Sequence, residues 1–309
     1  MVATAGVAAA DVSLSGSAEM GVVGGTGMNT QFHTDIDVTF TLSGTTDNGL
    51  TFGAAVDLDE AENIGGGGQA EGDPVGDGAG DHDGFAVFIS GNFGTVTMGD
   101  TDGGFDWGMA EVPTGSGSIA DDETGHLGYS GNGGLDGTYD GQILRYDHSI
   151  GGLGFAVSIE LDDTNGLGND DVIGLGLRYS VANINLGLGY QSTTVANVGR
   201  EIFGLSVGTT VADIALGLNY SSQSRDNWAA DQNHIGIGAS YSMDAITIGV
   251  NYGQMSNVGG VNGADQSGWG LSAGYDLGGG ASIVMGYGNS SPVAGMDTNT
   301  WSLGVSMGF

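Results

Sequence analysis

Strict alternation of apolar and polar residues recurs in short runs along this chain. In the last run, residues 300–309, Trp301, Leu303, Val305, Met307 and Phe309 alternate with serine and glycine. Successive side chains of an extended strand point to opposite faces, so the run predicts a strand with one apolar face. Residues 12–22 alternate in the same way. A final strand ending on an aromatic residue would expose a sticky edge, which pairing with the first strand of a closed barrel removes.

The same pattern predicts sixteen strands, an even number as in bacterial outer-membrane barrels. No apolar run approaches the roughly 18 residues of a membrane-spanning helix. Predicted connections after even-numbered strands are short, whereas those after odd-numbered strands are longer and carry most of the acid and glycine. This asymmetry is typical of short periplasmic turns and longer outer loops. The predicted strands are residues 12–22, 31–44, 50–59, 85–90, 93–99, 142–148, 153–162, 171–179, 184–191, 201–209, 212–221, 234–241, 245–252, 268–276, 281–288 and 300–309.

Aromatic residues are concentrated at the ends of the predicted strands rather than in their middles. Two belts of such rings are typical of the two boundaries between lipid and water. The sequence therefore predicts an all-β protein, a transmembrane antiparallel β-barrel formed by residues 11–309. The predicted outer belt comprises Tyr190, Tyr220, Tyr252 and Tyr287, and the opposite belt Tyr179, Tyr241, Tyr275 and Phe309.

Residues 1–10 are read differently. They are mostly small and apolar, and they end in Ala8-Ala9-Ala10 before Asp11. This resembles the end of a secretory signal peptide at its cleavage site. The prediction is a signal-peptide remnant at residues 1–10, and the alternative is an alanine-rich flexible N-terminus. The absence of cysteine is compatible with a bacterial envelope protein.

Composition excludes several functions. The chain has 64 glycines, 37 acidic residues, four arginines and no lysine, with a formal net charge of −33. Such acidity opposes binding to nucleic acid or to anionic membrane surfaces. Cysteine and lysine nucleophiles are absent, and the five histidines are scattered. Ser149 and His148 are adjacent, so their side chains point to opposite faces of a strand. We therefore predict no catalytic residues and no enzyme.

Four segments together are similar to the sixteen-stranded general porins of alphaproteobacteria, over essentially the whole of residues 11–309. They are VSLSG at 12–16, FTLSGTTDNGLTFGA at 40–54, MGD at 98–100 and YDLGGGASI at 275–283. The resemblance implies a homotrimer of water-filled channels for small hydrophilic solutes. It places them among lipid and lipopolysaccharide in the outer membrane of a Gram-negative bacterium. It also implies that the loop after the fifth strand, about residues 100–141, folds into the lumen as a constriction loop.

Acidic residues dominate both the predicted loop and the predicted wall. Similar porins oppose their loop carboxylates with wall arginines, where this chain has Asp35 and Asp37 beside His33. We therefore expect a cation-selective channel. The predicted loop residues are Asp100, Asp102, Asp106, Glu111, Asp121, Asp122 and Glu123; the predicted wall residues are Glu19, His33, Asp35, Asp37, Asp57, Arg145 and Arg178, with Asp147 and Glu160 also facing the lumen. Arg200 and Arg225 are predicted in or beside outer loops.

Two other interpretations remain open. No cofactor is required, but carboxylate and amide oxygens suit Ca²⁺, and the candidate ligands are Asp162, Asp163, Asn165, Asp170 and Asp171. One alternative is therefore a soluble, secreted, acidic calcium-binding β-protein. The other is a solute-specific porin, for which Phe105 and Trp107 are the only aromatic candidates. We expect both rings instead to wedge the loop against the wall.

Overall fold

The computed structural model describes residues 11–59 and 84–309, so the predicted signal-peptide remnant and the glycine-rich segment 61–83 lie outside the described residues. Sixteen strands and two short helical segments are formed. The strands are β1 Asp11–Gly25, β2 Met28–Thr45, β3 Thr51–Asp59, β4 Phe85–Gly91, β5 Gly94–Gly99, β6 Ile143–Ile150, β7 Leu153–Glu160, β8 Val172–Val181, β9 Ile184–Val195, β10 Val198–Val211, β11 Ile214–Arg225, β12 Gln232–Met243, β13 Ile246–Ser256, β14 Gln266–Gly278, β15 Ala281–Ser291 and β16 Thr298–Gly308. Helix α1 spans Gly104–Gly108, and a 3₁₀ turn spans Val258–Gly260.

Each strand pairs with its sequence neighbours, and β1 pairs with β16, so the sheet closes into an antiparallel barrel. The closing ladder runs from Ser17 opposite Gly308 to Gly25 opposite Thr300. Closure satisfies the backbone groups of both end strands, which is the condition for a sheet to lie in hydrocarbon. The predicted fold class, strand number and pairing of the chain ends are confirmed.

Two predicted outer connections are wrong in length. Thr26 and Gly27 alone join β1 to β2, and Ala196 and Asn197 alone join β9 to β10. Ala196 and Asn197 both have positive φ, 52° and 64°, as in the tight turns that fit the twist of a hairpin. The strands continue into polar sequence because ladder hydrogen bonds need no apolar side chain. At these two places the chain extends its strands where a longer loop was expected.

The outward face of the barrel is apolar and exposed. Val12, Leu14 and Phe32 are 62%, 64% and 81% exposed, which would be costly in water over so large an area. At one rim, Tyr252 is opposite Trp269 and Tyr287 is opposite Trp301. The rings of Trp269 and Tyr287 lie 5.1 Å apart. Tyr252 and Tyr287 of the predicted outer belt therefore lie in a row of neighbouring rings that also includes Trp269 and Trp301.

Among the helices in the described ranges, none has the length and apolarity needed to cross a membrane. The inward face of β8 to β16 is built largely of glycine and small polar residues, and it leaves room for the segment that follows β5.

Candidate channel constriction

The segment between β5 and β6 lies inside the barrel and begins at α1, which packs on β7, β8 and β9. Phe105 is fully buried, in one cluster with Met109, Leu135, Val172 and Ile202. The loop has an outgoing arm, residues 100–119, and a returning arm, residues 120–142. The Phe105 ring joins both arms to the wall and wedges the loop as expected. The Arg178 guanidinium lies over the Trp107 ring, 4.5 Å from the ring centroid. This face of the ring is therefore covered by protein and is not free to stack on a solute.

A row of inward glycines holds the outgoing arm of the loop. A Cβ at Gly176 or Gly249 would collide with loop backbone at Gly104 or Thr114, and one at Gly304 would collide with the Ile119 side chain. Only hydrogen at these positions allows two backbones to approach so closely. Ile119, 2% exposed, ends this arm in a second cluster with Val23 and Val284. The loop therefore crosses the wall from β7 to β16 and reaches β1.

The returning arm is held by hydrogen bonds. The His126 imidazole bonds through Nε2 to Asn251 Oδ1 at 2.5 Å, and its Nδ1 accepts from the Gly128 N–H at 3.2 Å. Asn251 Nδ2 donates to the Glu123 carbonyl at 2.7 Å, so its Oδ1 is the acceptor and Nε2 carries the proton. His234 Nε2 bonds the Gly128 carbonyl at 2.9 Å. Burial lowers the pKa of His126, which keeps the ring neutral.

Glu160 fixes the end of this arm. Its carboxylate, 1% exposed, accepts hydrogen bonds from the backbone N–H groups of Thr138, Tyr139 and Gly141 at 3.2, 3.0 and 2.9 Å. The prediction that Glu160 lines the aqueous lumen is therefore wrong, because the loop covers it. The expectation that this strand face is inward is correct.

The wall formed by β1, β2 and β3 faces the loop across the lumen and is acidic. Glu19 is opposite Asp35 in the β1–β2 ladder, so both side chains lie on one face. The Ser17 hydroxyl donates to Asp37 at 2.5 Å, and the Thr39 hydroxyl to Asp57 at 3.1 Å. His33 is opposite Gly21, whose missing side chain would meet Ile119, so His33 also faces inward.

The seven acidic residues predicted for the loop occupy different environments. Four are exposed, Asp106 is half-buried, and Asp122 and Glu123 are each only 2% exposed. The Asp122 backbone N–H donates to the Ser118 hydroxyl at 3.1 Å, and this hydrogen bond within the loop holds Asp122 in its buried position. Asp122 and Glu123 thus belong to the attachment of the loop, a distinction that sequence pattern does not make. The four exposed residues are Asp100, Asp102, Glu111 and Asp121.

Asp106 is the most electrostatically crowded of these residues. Burial, together with the negative charges of Asp102, Asp136 and Glu111, raises its pKa to about 7, although the positive charge of Arg178 acts to lower it. Burial likewise raises the pKa of Asp136 to about 6, against hydrogen bonds from the Gly103 N–H and the Gln191 side chain. Both carboxyl groups therefore exchange protons near neutral pH.

The two predicted wall arginines lie near the start of the loop. Arg145 bonds Asp147 at 3.2 Å and the Asp102 carbonyl at 2.6 Å, so its charge is largely compensated. Arg178 stacks on Trp107, as described above. Arg200 and Arg225, predicted in or beside outer loops, lie near the ends of β10 and β11 that adjoin these connections, directly opposite each other in the ladder.

The candidate calcium loop between β7 and β8 uses its oxygens internally. Asp162 Oδ1 accepts from the Thr164 N–H at 2.9 Å, and Asp171 Oδ1 accepts from the Asp162 N–H at 2.9 Å. Asn165 has a positive φ of 54° at the tip. Within residues 11–59 and 84–309, no group of three or more acidic or histidine side chains is arranged to hold a metal. Calcium binding by Asp162, Asp163, Asn165, Asp170 and Asp171 stays a prediction.

A closed barrel with an apolar outside, a polar inside and an inserted loop has the architecture of a diffusion channel. Residues 1–295 match the Gram-negative porin family. The chain belongs to this family. A porin of Rhodobacter capsulatus is 30% identical over 308 residues, covering 89% of this chain and 93% of the relative.

Solved structures agree with the assignment. A porin structure refined at 1.8 Å resolution superposes with a TM-score of 0.75 at 25% identity, covering 97% of this chain and all of the other. A triple mutant of the Rhodopseudomonas blastica porin superposes with a TM-score of 0.67 at 18% identity over the same shares. The protein is thus an outer-membrane porin of a Gram-negative bacterium, and the family and fold are those of channels, not enzymes.

Proposed function

We propose that this porin is a cation-selective diffusion channel for small hydrophilic solutes. The observation that carries the proposal is the wall opposite the loop, where Glu19, Asp35, Asp37 and Asp57 share the inward face of three neighbouring strands. Across the described part of the chain, no arginine lies within 4.0 Å of the carboxylates of Glu19, Asp37 or Asp57. An acidic surface in a confined aqueous channel raises the local concentration of cations and excludes anions.

The loop supports the same preference. Asp106 interacts electrostatically with Asp102 and with Glu111, and both of these partners are exposed. Arg145, the basic residue nearest to this group by direct contact, is already paired with Asp147 at 3.2 Å. A cation passing between loop and wall therefore encounters carboxylates on both sides.

The test is the reversal potential of reconstituted channels in a salt gradient. The wild type should show a potential of the sign expected for cation permeation, and D35N/D37N should move it toward zero. D244N is the matched control, because Asp244 lies in a turn at the other end of the strands with a positive φ of 52°, which asparagine also tolerates. A wild-type potential near zero would reject cation selectivity.

We further propose a homotrimer in lipid and lipopolysaccharide. The apolar outward faces of β1 and β2 include Val12, Leu14 and Phe32, the last 81% exposed, and a second copy could cover them. The resemblance to trimeric general porins supports an oligomer, and the mass of the detergent-solubilised protein decides it. F32S should weaken the association of the subunits. If the wild type is a monomer that conducts, the proposed trimer is wrong but the proposed channel function is not affected.

A further inference from the structure

Two of the four arginines of this acidic chain, Arg200 and Arg225, form a pair at the outer ends of two neighbouring strands. Arg200 of β10 and Arg225 of β11 are Cα partners, so their side chains lie side by side on one face. That face is the inner one, because Ile202, on the same face of β10, packs with Phe105 of the loop. Arg200 is three residues, about 10 Å of strand, beyond Phe203, the partner of Tyr190 in the outer belt. The pair therefore faces the outer vestibule.

Neither guanidinium is neutralised by the residues that the structure describes. The Nε atoms of both are buried without a hydrogen-bond partner, and no described carboxylate lies within 4.0 Å of either group. Two like charges directly opposite each other in a ladder repel. In a chain with 37 acidic residues, an unpaired arginine pair on the lumen wall therefore requires an explanation.

The pair is also held in position. The Arg225 guanidinium lies 4.5 Å from the centroid of the Trp228 ring. Trp228 is in turn fixed by its backbone N–H, which donates to the Arg225 carbonyl at 2.9 Å, and by packing on Gly260, where a Cβ would collide with the ring. Stacking on a ring leaves the N–H edge of arginine free to donate.

We propose that Arg200 and Arg225 form a binding station for the carboxylate of zwitterionic solutes, such as small amino acids. Planar guanidinium groups bind carboxylate and phosphate by paired N–H···O bonds. The acidic wall and loop below repel a solute with net negative charge. A zwitterion has no net charge, so its carboxylate can dock on the pair while its ammonium group is attracted toward the loop acids. This inference rests on the proposed channel function and names a solute class for it.

The experiment measures potassium current through reconstituted channels while alanine, neutral lactamide or inorganic phosphate is added. Alanine and lactamide are nearly equal in size, so only charge distinguishes them. Alanine should reduce the wild-type current saturably, and lactamide should not. R200Q/R225Q should lose the alanine effect and should conduct potassium at least as well as the wild type, because two positive charges leave the lumen wall. E201Q should behave as wild type, because Glu201 is on the outward face of the same strand, where the Tyr190 hydroxyl donates to it.

Each remaining outcome decides the question. An equal alanine effect in R200Q/R225Q would overturn the proposal, and so would phosphate acting as strongly as alanine at the same concentration. If the double variant does not fold, R200Q alone should weaken the alanine effect several-fold. The wild-type channel could show no cation preference and still be blocked by alanine in a way that depends on the two arginines. That result would reject the proposed cation selectivity but would support the carboxylate-binding site.

Discussion

Glu160 accepts the backbone N–H of Tyr139 at 3.0 Å, and through this carboxylate the last part of the loop is fixed to β7. The backbone N–H groups of Thr138 and Gly141 also donate to this carboxylate, so Glu160 acts only as a hydrogen-bond acceptor toward the loop. Glutamine in this place would turn an amide NH₂ toward at least one of them.

E160Q should therefore loosen residues 138–141 without removing the barrel. We expect a loss of about 1–3 kcal/mol in the stability of the attached state, the cost of leaving buried donors unsatisfied. Hydrogen exchange of residues 138–141 should accelerate, and the open-channel current should become noisier. E201Q, an exposed glutamate, is the control. Unchanged exchange at Tyr139 would show that the loop does not depend on this carboxylate.

The glycine row gives a second prediction. A methyl group at Gly249 would lie well inside van der Waals contact of the Thr114 carbonyl. G249A should push the outgoing arm toward the lumen axis, so the single-channel conductance should fall. Gly208 is the matched control, since a Cβ there meets nothing closer than 3.9 Å. Equal conductance in G249A and G208A would mean that the loop does not rest on this part of the wall.

A third prediction concerns pH. Burial raises the pKa of Asp106 to about 7, so the carboxyl is neutral at low pH and ionised at high pH. Cation preference, measured by reversal potential, should therefore increase as the pH rises through about 7. Because the folded pKa lies above the ordinary value of 3.8, Asp106 should also make the folded protein progressively less stable as the pH rises from about 3.8 to about 7, with no further loss above that.

D106N is the test of this assignment. It should reduce the change in reversal potential between acidic and basic solution, and it should stabilise the protein more at high pH than at low pH. D244N, in an exposed turn, should change neither property. If D106N keeps the full pH dependence, the titrating group is another carboxyl, and Asp136, with a pKa of about 6, is the next candidate.

Much of the barrel could be predicted because the bilayer imposes a simple rule on the sequence. In each strand, alternate residues such as Leu14 and Leu303 are apolar and face the lipid. This alternation made it possible to predict the number of strands, the closure of the barrel and which face of each strand points outward. Strand ends above the bilayer were less predictable. Beyond the belts, polar side chains can face either way, so Ala196 and Asn197 gave no sign of a two-residue turn except their position in a glycine-poor polar segment.

The loop was predictable in place but not in contacts. Which acids line the pore depends on pairing between residues far apart in sequence, as for Glu160 with Tyr139 or Asp136 with Gln191. One signal was available and missed: glycines recur at inward positions of β8 to β16, which is unnecessary for a water-filled wall. Gly249 marks where the loop backbone comes close to the wall, and Gly304 marks where the Ile119 side chain does.

The last prediction concerns the histidine that attaches the returning arm. Neutral His126 donates to Asn251 through Nε2 and accepts the Gly128 N–H at Nδ1. If Nδ1 were protonated, its N–H would face the Gly128 N–H and this hydrogen bond would be lost. His234, bonded to the Gly128 carbonyl, adds a second ring nearby. Because burial lowers the pKa of His126 below 6.5, its contribution to the attached state is present above that pH and is lost as the pH falls.

Hydrogen exchange of residues 124–132, corrected for the intrinsic effect of pH, should therefore be several-fold faster in mildly acidic solution than at neutral pH. H126N should exchange rapidly at both, because its shorter side chain cannot span the same two partners. H148Q is the control, since His148 lies on β6 and contacts Phe155 rather than the loop. Should the wild type show equal protection at both pH values, His126 does not control the attachment of the arm, and the hydrogen bonds of His234 and Asn251 suffice without it.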